Sequence, residues 1–219
     1  TILYLACENG SVDAARLLLD NGAEVDRADK DGVTPLYVAC EKGQVDAAQL
    51  LLEKGAEVDR VVEKGQWKGA TPLLVACYEG HVDAALLCLD RGADMNLAAD
   101  DGWTPLMVVC QTGPVEAVEL LLKHNADVSR ATRGSGSTPL RIACRSAHVD
   151  AARLLLDFGA DVDQARKDGT TPLRTACKHG HVDVAQLLLG RGADVTRAAT
   201  SGPGHGMDAL AVAKHHKQG

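Results

Sequence analysis

The fold of this chain is decided by one stretch that recurs along it, Thr34-Pro35-Leu36-Tyr37-Val38-Ala39-Cys40-Glu41-Lys42-Gly43. The opening of this stretch returns every 33 to 37 residues, and a fainter copy begins at Asp208. The leading threonines are Thr1, Thr34, Thr71, Thr104, Thr138 and Thr171. A period near 33 residues is typical of stacked structural repeats. The sequence therefore predicts repeats over residues 1–33, 34–70, 71–103, 104–137, 138–170 and 171–207, and a terminal cap over 208–219.

Each copy predicts two short helices. Thr34 is a good N-cap, because its hydroxyl accepts a hydrogen bond from an unpaired amide, and Pro35 is tolerated in the first turn. Gly43 ends the first helix, since glycine adopts the left-handed conformation without strain. The second helix is predicted over residues 45–54 and closes on Gly55.

Ala147 departs from this pattern, because it stands where five other copies have glycine. If the position requires a positive φ, alanine is strained there by about 1 kcal/mol. Asn125 replaces the glycine that ends a second helix, a substitution that the left-handed conformation tolerates.

These motifs resemble the ankyrin repeat. The likeness is carried by Thr-Pro-Leu, by Ala-Cys where the family usually has Ala-Ala, by Gly80-His81, by Leu-Leu-Leu and by Gly192-Ala193-Asp194. It covers essentially all 219 residues. It implies a single all-α domain over residues 1–219, an ankyrin-repeat solenoid of stacked helix-turn-helix units with β-hairpin-like loops. It also implies that the chain binds other proteins on the concave face and hairpin tips.

Composition narrows the class of protein. Hydrophobic residues make up 46% of the chain and aromatic residues only 3%, so that alanine, leucine and valine must form the core. A net charge of −7 argues against binding nucleic acid or an anionic membrane surface. The chain has neither a run of about 18 apolar residues nor a signal-peptide pattern. We expect a monomer, and because the first residue is threonine we expect the natural chain to extend further.

Six of the seven cysteines occupy one position of the repeat. They are Cys7, Cys40, Cys77, Cys110, Cys144 and Cys177, and the seventh, Cys88, replaces a leucine. Their spacing follows the repeat and matches no metal motif. Packed helices lie about 8–10 Å apart, too far for a disulfide. We therefore expect reduced, buried thiols, which favours the cytosol or nucleus.

No motif indicates catalysis, a cofactor or a metal site. The cysteines and three of the histidines (His81, His148 and His181) recur with the repeat, which is typical of scaffold residues. His179 and His181 form an H-x-H pair, but the repeat assigns them to different faces. The sequence predicts a non-enzymatic chain with no catalytic residues, no cofactor and no metal.

The variable positions of the repeat predict a binding surface. They lie just before the end of the first helix and at the loop tips, and their residue types change while their neighbours stay constant. Packing therefore does not dictate them. The predicted contact residues are Lys30, Asp31, Glu41, Lys42, Trp67, Lys68, Tyr78, Glu79, Asp101, Trp103, Gln111, Thr112, Arg145, Lys178 and His179. His205 and Met207 are the matching loop positions of the last repeat.

Aromatic residues sharpen this prediction. Trp67, Tyr78 and Trp103 map to neighbouring loops and a first helix, and we expect them to converge as anchors for a partner. The alternative is that both tryptophans fold over the adjacent loop and close it. Tyr4 and Tyr37 replace the histidine of the usual Thr-Pro-Leu-His motif and are interpreted as scaffold.

Charge along the predicted groove changes sign. It begins acidic at Glu8, Glu41 and Glu79, and it ends basic at Arg141, Arg145, Arg174, Lys178 and His179. Such polarity would orient an extended ligand. The alternative is a solvated surface without a partner.

We therefore predict a rigid scaffold that binds a partner protein or an extended peptide. Two alternatives stay open, a structural spacer in a larger multidomain protein and an engineered ankyrin binder. An enzyme would require a deep polar pocket with converging titratable groups.

Overall fold

The computed structural model describes residues 1–197 and 208–209, and residues 1–197 contain twelve helices and no strand. The first helices of the six pairs are α1 (Ile2–Glu8), α3 (Pro35–Glu41), α5 (Pro72–Glu79), α7 (Pro105–Thr112), α9 (Pro139–Arg145) and α11 (Pro172–His179). The second helices are α2 (Val12–Asp20), α4 (Val45–Glu53), α6 (Val82–Asp90), α8 (Val115–Lys123), α10 (Val149–Asp157) and α12 (Val182–Gly190). The predicted all-α fold is thereby confirmed. His205, Met207 and the cap beyond Ala209 lie outside the described residues.

The threonine of each copy caps its first helix as predicted. The Thr34 hydroxyl accepts a hydrogen bond of 3.1 Å from the Tyr37 amide, and the other five leading threonines make the same bond. All of them except Thr1 are buried. Each such bond satisfies one unpaired amide at a helix start, and losing it costs about 1 kcal/mol.

The described chain forms two compact units, Thr1–Val108 and Val109 onward, and the boundary falls within α7. In the first unit, α1, α3 and α5 pack in one layer and α2, α4 and α6 in a second. Leu36, Leu51 and Leu73 are fully buried there. In the second unit, α9 packs against α11, and α10 lies between α8 and α12. The prediction of one domain over residues 1–219 stays a prediction.

Histidine side chains join successive repeats in the second unit. The His148 Nδ1 donates to the Cys110 carbonyl at 3.1 Å, and the His181 Nε2 donates to the Arg145 carbonyl at 3.0 Å. In both cases the ring reaches the end of the first helix of the preceding repeat. These bonds account for the recurrence of histidine at this position as a scaffold feature.

The loops are also joined along the stack. The Asp59 carboxylate accepts the Asp94 amide at 3.0 Å, and the Asp163 carboxylate accepts the Asp194 amide at the same distance. At the loop tips, the Lys68 carbonyl accepts the Asp100 amide at 3.1 Å. The loops are thus hairpin-like in their bonding, although none of the described residues forms a strand.

All seven cysteines are free, as predicted. Burial raises the pKa of Cys7 to about 11 and that of Cys144 to about 12, so these thiols stay protonated at neutral pH. One expectation was wrong, since Cys177 is only half-buried. Cys40 and Cys88 are free and buried as expected, but their sulfurs lie 3.6 Å apart. The distance of about 8–10 Å between packed helices applies to cysteines at equivalent positions on first helices. Cys88 lies instead on α6, a second helix.

Ala147 has the positive φ that the repeat pattern predicts, 62°, and so has Asn125, at 66°. We expect Ala147→Gly to raise the free energy of unfolding by about 0.5–1 kcal/mol, because strain relief exceeds the added chain entropy of glycine. Gly180 is the matched control, since it stands at the same repeat position with φ 73° and open space around its Cα. Gly180→Ala should lower stability by a similar amount in urea denaturation. A lower melting temperature for Ala147→Gly than for the intact chain would show that Ala147 is not strained.

Candidate functional site

The predicted contact residues all lie at or near the surface. Eleven of them are exposed: Lys30, Lys42, Lys68, Tyr78, Glu79, Asp101, Gln111, Thr112, Arg145, Lys178 and His179. Asp31, Glu41, Trp67 and Trp103 are half-buried. By contrast, the constant threonine, proline and leucine positions of α3, α5 and α9 are buried. The variable positions are therefore the ones that stacking leaves accessible.

The structure brings two of the three predicted anchors together. The Trp67 and Tyr78 ring centroids lie 4.6 Å apart at an interplanar angle of 68°, an edge-to-face pair. Trp103 makes no ring contact with either of them within the described part of the chain, and its place in a shared contact surface stays a prediction. Its amide donates instead to the Asp101 carboxylate at 3.0 Å, within its own loop. Trp67, by contrast, packs against Tyr78 on α5, the first helix of the following repeat, and remains partly accessible.

A groove in the first unit lies beside Trp67, with a volume of about 260 Å³. It is lined by Tyr4, Asp31, Val33, Tyr37, Glu41, Val62, Lys64, Gly65, Gln66 and Trp67. Sequence reasoning assigned Tyr4 and Tyr37 to the scaffold alone and missed that they line a surface feature. The available signal was a tyrosine at the same position of two adjacent repeats, followed by an enlarged loop that carries Trp67.

Carboxylates set the potential of this groove. Burial, and then the charges of Glu41 and Glu79, raise the pKa of Tyr37 well above its ordinary value. Burial, and then Glu8, Glu41 and Asp29, raise the pKa of Tyr4. Both phenols therefore remain neutral at physiological pH in a negative environment.

The second unit carries the opposite charge. Burial, and then Arg166 and Arg145, lower the pKa of Arg141 to about 10. Burial, and then His181 and Lys178, lower the pKa of His179. Cations therefore cluster around α9 and α11 and repel one another there, which would favour an anionic partner group.

Two of the predicted basic residues do not reach the surface. Arg141 and Arg174 are buried, and each donates from Nη1 at 2.9 Å to a hydroxyl of the preceding loop, Ser137 and Thr170 respectively. The accessible basic set is therefore Arg145, Lys178 and His179. The repeat pattern could not distinguish these depths, because tyrosine, leucine and methionine fill the same position in other copies.

The H-x-H pair also differs from expectation. The His179 and His181 rings stack with centroids 5.8 Å apart and an interplanar angle of 16°, so they share one face. Gly180, at φ 73°, turns the chain between them. In residues 1–197 and 208–209, no three metal-ligand side chains converge on one point.

Over the same described residues, no helix combines the length and apolar character needed to cross a bilayer.

Known proteins share this architecture. A family model described as "Ankyrin repeats (3 copies)" matches residues 1–62, 58–132 and 127–199. The crystal structure of the human ASB11 ankyrin repeat domain is similar, with a TM-score of 0.84 and 31% sequence identity over 97% of this chain and 91% of that one. No curated protein matches the chain. The predicted solenoid of stacked helix-turn-helix units is thereby confirmed.

Proposed function

Because the chain belongs to the ankyrin-repeat family, whose members are generally protein-interaction modules, we propose that it binds a partner protein or an extended peptide. The contact surface is formed by the first-helix ends and the loop tips, which line the concave face in proteins of this family. The observation that supports this most strongly is the separation of roles within each repeat. Constant residues are buried in the stack, and the variable residues are exposed or half-buried.

The binding surface is rigid before the partner binds. The loops are fixed before binding by backbone bonds between successive tips, such as the one from Asp100 to Lys68. A preorganised surface loses little ordering entropy on association, so more of the contact energy appears as affinity. The chain acts as a scaffold and not as an enzyme.

The aromatic residues and the charged residues of the contact surface have different roles. Trp67 and Tyr78 are the aromatic anchors, since large rings at partly accessible positions are favoured at binding hot spots. Trp103 contributes from the next loop. The acidic surface of the first unit favours a cationic partner group, and the basic surface of the second unit favours an anionic one.

Free cysteines in every described repeat fit a reducing compartment, the cytosol or the nucleus. The protein acts as a monomer and binds neither nucleic acid nor a membrane surface.

Partner capture tests the proposal. The intact chain and a Trp67→Ala/Trp103→Ala variant are used as baits in a cell lysate, and captured proteins are compared by quantitative mass spectrometry. We expect some proteins to be retained by the intact chain and depleted about tenfold or more by the variant, because loss of an anchoring ring costs more than about 1 kcal/mol.

Phe158→Ala is the control, because Phe158 is an exposed aromatic residue, 46% accessible, at the end of the second helix α10 and outside the predicted contact residues. It should capture the same proteins as the intact chain. If all three baits captured the same proteins, Trp67 and Trp103 would not be anchors, and the role of a structural spacer would be favoured.

A further inference from the structure

Tyr37 places an unpaired polar group in the wall of the groove beside Trp67. The side chain is 3% exposed, and its hydroxyl has no hydrogen-bond partner among the described residues. Burying a hydroxyl without a partner costs free energy. The phenol is neutral, so it would accept a hydrogen bond from a donor seated in the groove.

The charges around the groove favour a cation. Asp31 and Glu41 line it, and the charge of Glu79 also acts on Tyr37. Two lysines are nearby. Lys64 belongs to the lining and offsets one of its two carboxylates, which leaves a net charge of −1, and Lys42 pairs with Glu41 itself. The Lys64 Nζ donates to the Lys30 carbonyl at 3.3 Å, and the Lys42 Nζ pairs with Glu41 at 3.2 Å. The latter pair is exposed on the lysine side and therefore contributes little, so a ligand can replace it.

Aromatic rings form the remaining walls. Tyr4 and Trp67 line the groove, and the edge-to-face contact with Tyr78 fixes the orientation of the Trp67 indole. Aromatic faces attract cations. The volume of about 260 Å³ is below the range of about 300–1,000 Å³ that is usual for small-molecule sites, which suits one side chain of a larger ligand.

We propose that this groove binds the guanidinium of an arginine in the partner protein. This inference rests on the proposed function, since it names the chemistry that one part of the binding surface recognises. A guanidinium is planar, stacks on aromatic rings and presents five N–H donors. It would donate to the Tyr37 hydroxyl and the Glu41 carboxylate while stacking against Trp67. A lysine ammonium is a compact, strongly hydrated charge and fits this site less well.

Peptide selection tests the assignment. A displayed library of random twelve-residue peptides is selected on the intact chain, and the selected peptides are then assayed on a Tyr37→Phe/Glu41→Gln variant. The peptides that lose binding to this variant should share an arginine at a fixed position. Replacing that arginine with citrulline, which is neutral and of similar shape, should weaken binding to the intact chain about tenfold or more. On the variant the same replacement should have little effect.

Two controls separate the outcomes. Tyr37→Phe removes a hydroxyl that has no partner, so urea unfolding should show the double variant to be as stable as the intact chain. Arg153→Glu/Gln186→Glu, changed on the second helices α10 and α12 and outside the contact surface, should still bind the arginine peptides. A shared lysine of equal affinity, citrulline peptides that bind as well, or no arginine preference would each overturn the assignment. The proposed function would stand in those cases if Trp67→Ala/Trp103→Ala still lost captured proteins, and it would fail separately if the capture lists were identical.

Discussion

Replacing Gly69 with alanine is expected to lower the free energy of unfolding by about 2–4 kcal/mol, the sum of backbone strain and overpacking. Gly69 has φ 82°, which alanine adopts only with strain. A Cβ added there would lie 2.6 Å from the Asp100 amide nitrogen and 3.1 Å from the Ala99 carbonyl carbon. These are backbone atoms of the next loop, so the clash can be relieved only by separating two successive loop tips. That separation would break the bond between the Asp100 amide and the Lys68 carbonyl.

Gly65→Ala is the control from the same loop. Gly65 also has φ 82°, but an added Cβ would meet no atom within 4 Å. It should therefore lose only the strain contribution, about 1 kcal/mol. Urea denaturation of both variants isolates the contribution of loop-to-loop packing. Equal losses would show that the tips of successive repeats do not support one another.

Reversing two charges in the second unit should produce the largest change in partner affinity. In an Arg145→Glu/Lys178→Glu variant we expect affinity for a captured partner to fall about 30- to 100-fold, since like charges facing one another cost several kcal/mol. Both side chains are exposed at the ends of α9 and α11, so the fold should be unaffected. The measurement is the dissociation constant at two salt concentrations, because exposed charges are screened by salt.

The matched control is Arg153→Glu/Gln186→Glu, changed on second helices, which should leave affinity within about threefold of the intact chain. The weakening from the first pair should shrink at the higher salt concentration. If Arg145→Glu/Lys178→Glu bound the partner as tightly as the intact chain, these charges would not contribute to binding.

The fold was accessible from sequence because its determinants are local and repeated. The Thr34 cap and Pro35 each follow from the chemistry of one residue, and the period assigns the same role to each copy. The positive φ at Ala147 follows from the period, because five other copies have glycine there. Helix bounds were correct to about one residue, since 45–54 was predicted where α4 spans Val45–Glu53.

Relations between repeats are not encoded by the period, and their geometry was not found from the sequence. The contact between Cys40 and Cys88 joins a first helix to a second helix of the next repeat, and the contact of Trp67 with Tyr78 depends on the path of a loop. Tyr37 was correctly placed at a scaffold position, but only the structure shows that its ring also lines a groove. The helices could therefore be predicted from the sequence, whereas the burial of each side chain and the identity of its neighbours required the structure.

The central claim is that the exposed variable residues of each repeat are available for binding because stacking does not require them. It is tested most directly by urea unfolding of Gly69→Ala and of Arg145→Glu/Lys178→Glu beside the intact chain. We predict a loss of about 2–4 kcal/mol for the first variant and less than about 0.5 kcal/mol for the second. A charge-reversal variant that unfolds as readily as Gly69→Ala would contradict the claim, because the exposed variable residues would then be part of what holds the repeats together.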